Sequence, residues 1–272
     1  MRLHTLVVCL LLAVTSSAQN FQNATVKSTD AARGVGATVA SLSRSGATWF
    51  AWRVPVKGTS ICCGWQNRSG CCGGCSLDGN HGYSINNDDD FPTTTELLLV
   101  LRVEEGRVRK TRLFNPDCPV DGQGKSIQVL TNVTPEASIN YLLGQIRNAD
   151  KEGELLSALS MHEHPRVVPE LLQLARHDPE IEVRRHAIFW LGQKAGSKVA
   201  GDLRRAVDED PADEVRQHAV FAISQLPKER SVPMLIELVK THKSRKIRER
   251  ALFWLAQTGD QRAVDLIEEI LR

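Results

Sequence analysis

The chain has 272 residues, room for two domains, and its composition is that of an ordinary globular protein rather than a disordered or membrane one. Its 34 basic and 32 acidic residues leave a formal charge of +2. No global positive field draws in DNA or RNA, so no nucleic-acid partner is expected.

Met1-Arg2-Leu3-His4, an apolar run over residues 6–14 and the small residues Ser16-Ser17-Ala18 have the charged start, short greasy middle and cut site of a secretory signal peptide over residues 1–18. Cleavage near Ala18 leaves Gln19 first, and the mature protein is expected to be secreted or periplasmic. The apolar run is too short to span a bilayer, and no other stretch approaches the length required, so no transmembrane segment is expected. Leu6-Val-Val-Cys9 makes a poor lipoprotein box, because Val8 precedes the cysteine and the apolar run continues past it.

Residues 19–134 lack a helical period. They carry β-type segments at 36–42, 49–56, 96–104, 107–114 and 126–133, with Glu105-Gly106 suited to a hairpin turn between the third and fourth. The expectation is a small, cysteine-rich, antiparallel β domain. Its long inserted loop, residues 57–95, is rich in Gly, Cys, Asn and Asp, and such a loop inside a compact domain is functional, cross-linked or mobile. Export places Cys62, Cys63, Cys71, Cys72, Cys75 and Cys118 in an oxidising compartment, which favours disulfides, although six cysteines allow 15 connectivities. Two other readings stay open. Four sulfurs within residues 62–75 are enough for a tetrahedral zinc site, but without two regularly spaced CxxC knuckles. Cys72-Gly-Gly-Cys75 has the spacing of a redox dithiol, but Gly-Gly is a poor helix start.

Other motifs in this half are weaker. Gly122-Gln-Gly-Lys125-Ser126 resembles the end of a phosphate-binding loop, but Pro119 stands where a glycine is needed and a strand-like segment follows. Asn86-Asn-Asp-Asp-Asp90 lacks the alternating ligands, central glycine and closing glutamate of a calcium loop, and reads as a solvated acidic turn.

From Pro135, suited to a first helical turn, the period becomes helical to Arg272. Apolar residues in register at Ile139 and Leu142, Leu155 and Leu159, Val168 to Leu174, Leu203, Val232 to Leu238, and Val264 to Ile270 predict nine helices, the last a lone cap. His162-Glu163-His164 lacks the spacing that puts two metal-binding histidines on one helical face, and Pro165 marks an inter-helix bend. Residues 240–250 hold six basic side chains around a turn. A solvated face explains them, with an anionic partner the alternative.

Within this half one segment recurs at an interval of 32: Val183-Arg-Arg-His-Ala-Ile-Phe-Trp-Leu-Gly-Gln193, Val215-Arg-Gln-His-Ala-Val-Phe-Ala-Ile-Ser-Gln225 and Ile247-Arg-Glu-Arg-Ala-Leu-Phe-Trp-Leu-Ala-Gln257. Such a period means stacked two-helix units that bury their apolar faces only against neighbours, an all-α solenoid that offers a surface rather than a pocket. At about 100° per residue, Val183, Ala187 and Leu191 share one face while Arg185, Phe189 and Gln193 share the opposite one. Phe189, Phe221 and Phe253 with Gln193, Gln225 and Gln257 are therefore expected to line the inner surface as a protein-binding ladder, unless neighbours cover the rings.

The wording of this segment resembles HEAT repeats of the bacterial variety. The resemblance implies that Arg184, Arg216 and Arg248 and the acids Asp178 and Asp210 form a structural ladder between repeats, and His242 at the third acidic position interrupts it. Three N-x-[ST] triplets, at Asn23, Asn67 and Asn132, matter only in a eukaryotic secretory route and are set aside. HEAT-like repeats also build deoxyhypusine hydroxylase, but its His-Glu steps are replaced here by Arg185-His186, Gln217-His218 and Glu249-Arg250, which argues against that activity. Phycobilin lyases have similar repeats, yet no chromophore site is identifiable. Residues 101–108 and 114–124 resemble the leading segment of some exported bacterial HEAT-repeat proteins, a likeness that implies no substrate, cofactor or catalytic residue.

The reading is an α+β multidomain chain: signal peptide 1–18, cysteine-rich β module 19–134 and a HEAT-type α-α solenoid 135–272. Its expected function is that of an exported adaptor that binds a protein or peptide, needs no cofactor or metal and has no catalytic set. The alternative is a metal- or thiol-dependent enzyme that uses the loop from Cys62 to Cys75, with the solenoid as docking arm.

Overall fold

The computed structural model describes residues 21–46, 48–63, 75–78, 83–86, 94–116 and 118–272, without the side chains of 59–63, 83–86, 195, 197 and 271. The signal peptide and most of the cysteine loop lie outside the described residues.

The N-terminal half is built on a sheet of order β2-β8-β3-β5-β6, from β2 (Thr25–Asp30), β3 (Trp49–Cys63), β5 (Thr94–Glu104), β6 (Arg107–Phe114) and β8 (Ser126–Thr131). β4 (Tyr83–Asn86) pairs with the end of β3, and β1 (Phe21–Gln22) pairs separately with β7 (Val120–Asp121). The expected hairpin joins β5 to β6, and Glu105 and Gly106 turn with φ of 53° and 74°. An Asn, Asp or Gly favours that conformation, and here the glycine supplies it at the second position.

Two expectations for this half are corrected. The sheet is mixed rather than antiparallel, because β8 runs parallel to both β2 and β3. β2 escapes a hydrophobic pattern because it is a polar edge strand, Thr-Val-Lys-Ser-Thr-Asp, and an edge facing water needs no apolar face. Residues 36–42 are not a strand but lie within α1 (Val35–Arg44). Val35, Val39 and Leu42 sit at i, i+4 and i+7, so the helical period outweighs the β-branched side chains, and Val35 and Val39 are buried. Asp30 prepares the turn into α1 by accepting the Ala32 N–H at 2.8 Å.

Residues 135–272 fold into nine α-helices: α2 (Pro135–Gln145), α3 (Glu152–Met161), α4 (Val167–His177), α5 (Ile181–Ala195), α6 (Ala200–Glu209), α7 (Asp213–Ser224), α8 (Lys228–Thr241), α9 (Arg245–Ala256) and α10 (Gln261–Leu271). Thr134 caps α2 by accepting the Ala137 N–H at 3.2 Å, with Pro135 in the first turn. The recurring segment forms α5, α7 and α9. Val183, Ala187 and Leu191 and their equivalents are buried, as helical periodicity requires. Consecutive second helices α3, α5, α7 and α9 pack closely against one another, whereas the first helices α4, α6, α8 and α10 make few contacts among themselves. The second helices therefore form the inner side of the curve.

Sheet and solenoid share one apolar core. One cluster runs from Val35, Phe50, Trp52, Leu99 and Val103 through Ile139, Leu142 and Leu155 to Leu255 and Leu266. The opposite sheet face carries a separate cluster of Trp49, Ala51, Leu98, Val100 and Ile127, covered by Cys75, Leu77 and Val120. Cys75 and Cys118 are buried and disulfide-bonded. With both faces covered, residues 97–101 of β5 are all buried, which explains their unbroken apolar run.

A buried polar chain crosses from sheet to solenoid. Trp52 Nε1 donates to Ser138 Oγ at 2.8 Å, Ser138 Oγ meets His162 Nε2 at 2.8 Å, and His162 Nδ1 meets the Ala158 carbonyl at 2.9 Å. The carbonyl only accepts, so Nδ1 carries the proton and Nε2 accepts from serine, which satisfies every member with a neutral ring. Burial first, and then the nearby Lys194 ammonium, lower the His162 pKa to about 4.

Candidate inner-face binding site

Along α5, α7 and α9 the rings of the recurring segment form a continuous strip. Phe189 and Phe221 stack with centroids 5.8 Å apart and planes within 3°. Trp190 meets Phe189 edge-on at 4.9 Å, Trp254 tilts onto Phe221 at 4.7 Å, and Phe253 meets Trp254 edge-on at 5.0 Å. His218 lies beside the two stacked rings, 6.0 Å from Phe189 and 5.5 Å from Phe221. Such contacts fix ring orientation beyond the area they bury.

The strip is neither core nor fully open. Phe189 and Phe221 are half-buried, Phe253 is 50% exposed, and Gln193, Gln225 and Gln257 stand exposed beside them. Sequence reasoning found the phenylalanines and glutamines but missed the tryptophans and histidines. The missed signal is the neighbouring position of the segment, which reads Trp190, Ala222, Trp254. Ala222 is buried where the other two copies carry tryptophan, and Trp254 reaches back to Phe221.

At the N-terminal end of the strip a cavity of about 480 Å³ is lined by Glu152, Gly153, His186, Phe189 and Trp190. Ionisable groups beside it act on the lining residue His186 and on one another. The Arg185 guanidinium hydrogen-bonds Glu182 and holds that carboxyl below its ordinary range. Burial first, and then the charge on Arg185, lower the pKa values of His186 and His218, the latter to about 4. At neutral pH the inner face thus presents aromatic rings, neutral imidazoles and amides.

Other sequence motifs fall elsewhere. His162 is fully buried in the polar chain, and His164 Nε2 pairs with Glu136 at 2.8 Å, so the His-Glu-His bend brings no two imidazoles to one ligand. Gly122 to Lys125 form a turn between β7 and β8 in which the Gly124 N–H donates to the Asn23 carbonyl. In the basic stretch, Lys240 pairs with Glu269, Lys246 with Asp213 and Arg245 with Glu249. Cys62 and Cys63 end β3 without described side chains, and Cys71, Cys72 and residues 87–90 lie outside the described residues.

The arginines of the segment are structural. Arg184 grips Asp210 with two bonds, 2.9 and 3.1 Å, and caps the carbonyls of Asp178 and Pro179. Arg248 caps His242 and Lys243 in the same way. At the junction where His242 replaces the acid, Arg216 turns instead to Asp213 on its own helix.

The comparisons agree with this geometry. Residues 168–243 match the family model of HEAT repeats, and residues 247–272 match that of the PBS lyase HEAT-like repeat. The repeats of the C-terminal half are therefore of the HEAT type. No curated protein matches the chain. Among solved structures, the complex of CpcE and CpcF of phycocyanin lyase from Nostoc sp. PCC7120 is similar over 50% of this chain and 89% of that chain, at 20% identity and a TM-score of 0.38. Among the described residues no helix is long and apolar enough to cross a membrane.

Proposed function

We propose that the chain is an adaptor that holds a protein or peptide partner against the inner face of its repeats, with Phe189, Phe221, Phe253, Gln193, Gln225 and Gln257 as the contact ladder. The observation that carries this reading is the half-buried Phe189–Phe221 stack flanked by exposed amides. Rings fixed by their neighbours lose little freedom on binding, and side-chain amides can pair with an extended backbone.

The adaptor is exported, its signal peptide removed near Ala18 and its N-terminal module stapled by disulfides among the six remaining cysteines. The leader pattern supports export, and the buried, disulfide-bonded Cys75 and Cys118 fit an oxidising compartment.

The test replaces Phe221 and Gln225 together by Ala and follows partner capture from the native compartment alongside thermal melting. Capture should be lost while the melting temperature moves only a few degrees. Intact capture with a large loss of stability would reassign the ladder to the core and end this reading.

A further inference from the structure

Three side chains converge at the N-terminal ends of two neighbouring second helices. Glu152 opens α3, and Glu182 and His186 stand one turn apart on the same face of α5. His186 Nε2 lies 3.9 Å from Glu152 Oε1 and 3.8 Å from Glu182 Oε2, and one donor atom from each residue falls within 4.8 Å of the others. A helix N-terminus attracts carboxylates for its own sake, and that accounts for the acids. It does not account for an imidazole aimed between them.

Gly153 adds an independent constraint. A Cβ there would come within 2.8 Å of His186 Cε1 and Nε2, so the ring sits where any other residue's side chain would begin. The absence of a side chain at 153 lets the ring reach the carboxylates. The cavity of about 480 Å³ in front of them supplies room for a further ligand.

We propose that Glu152, Glu182 and His186 form a binding site for a divalent first-row metal ion, with zinc as the best match. Two carboxylate oxygens and one imidazole nitrogen make a three-ligand set that leaves a coordination position facing the cavity. The imidazole selects against magnesium and calcium, which prefer all-oxygen shells. Small rotamer changes bring the donors from their present spacing to zinc contacts of roughly 2.0–2.2 Å.

One group competes for the same place. The Arg185 guanidinium hydrogen-bonds Glu182 and approaches His186 Nε2 at 3.4 Å, so it holds positive charge where the ion would sit. Its side chain is 29% exposed and can swing to solvent. Metal binding must displace it, which gives the site a signature that a casual surface histidine lacks.

The test titrates the oxidised full chain, with any free thiols alkylated, with zinc against a chromophoric chelator and with cobalt by visible absorption. The expected result is one ion per chain. His186→Asn and, separately, Glu152→Gln should weaken binding by about a hundredfold, whereas Arg185→Gln should tighten it by about tenfold. His164→Gln, at an exposed His-Glu pair elsewhere, should change nothing, and circular dichroism confirms that each variant is folded. No uptake, uptake indifferent to both His186→Asn and Glu152→Gln, or no gain from Arg185→Gln would overturn the proposal. Metal held instead by the cysteine loop would show the second of these patterns.

Discussion

From α3 to α6 no buried side-chain polar atom among the described residues lacks a partner, whereas α7, α8 and α9 each carry one that does: Arg216 Nε, Ser231 Oγ and Trp254 Nε1. The N-terminal junctions are pinned by Arg147 on Asp178 at 2.8 Å and by the double bond pair from Arg184 to Asp210. At the C-terminal junction Arg216 has no acid to reach and bonds within its own helix. The apolar period is the same at both ends, with Val215, Ala219, Ile223, Leu235 and Leu238 buried as fully as their counterparts. Apolar repetition therefore stacks the helices by itself, and the polar pairs decide how firmly each junction is locked.

The largest effect should come from breaking the locked junction. Arg184→Ala leaves the buried Asp210 carboxylate without its cation, a defect of about 3–5 kcal/mol. Arg216→Ala should fall within the scatter of an ordinary surface substitution, because its partner Asp213 lies in water. Urea denaturation of the two variants measures the contrast, and equal losses would abolish the distinction between the junctions.

Acid should weaken the N-terminal end next. The unfolded chain takes up the His162 proton near pH 6.5 and the folded chain only near 4, so between those values the unfolded state binds more protons. Stability from this group is complete above about pH 7 and is lost as pH falls through that window, to a total of about 3 kcal/mol. The Lys194 and His164 charges also act on the ring and reinforce the direction. His162→Gln should flatten the slope in that window. A slope unchanged by the substitution would place the acid sensitivity in other groups.

The contrast between the ends also marks what could be read in the sequence. The nine helices, their buried faces and the interruption at His242 follow from a segment repeated at a fixed interval, because each copy reports on the others. The sheet has no such redundancy. α1 was misread from its β-branched residues, and the parallel pairing of β8 joins segments about a hundred residues apart that no local pattern links. The same holds at the inner face, where Phe189 and Phe221 were legible as a stripe. The approach of His186 to Glu152 depends on how α3 packs against α5, and the Gly153 contact behind it is visible only in three dimensions.

The smallest expected effect is a gain, and it tests whether the missing acid is what separates the two junctions. His242 already imitates part of the acid's work: its Nδ1 accepts the Ser244 N–H at 3.1 Å, as Asp210 Oδ1 accepts the Ala212 N–H at 2.9 Å. The ring's other nitrogen carries the proton and points to Asp208 Oδ1 at 3.5 Å, so it offers Arg216 nothing to accept its N–H groups. His242→Asp should preserve the turn and draw Arg216 across, satisfying its buried Nε. The new pair must overcome repulsion from Asp208, which keeps the net gain to about 1 kcal/mol. In the His242→Asp background, Arg216→Ala should erase that gain, a coupling that a double-mutant cycle isolates from any change in the turn itself. A gain that survives loss of Arg216 would mean the histidine weakens the junction through its bulk, and the polar ladder would no longer explain why the two ends differ.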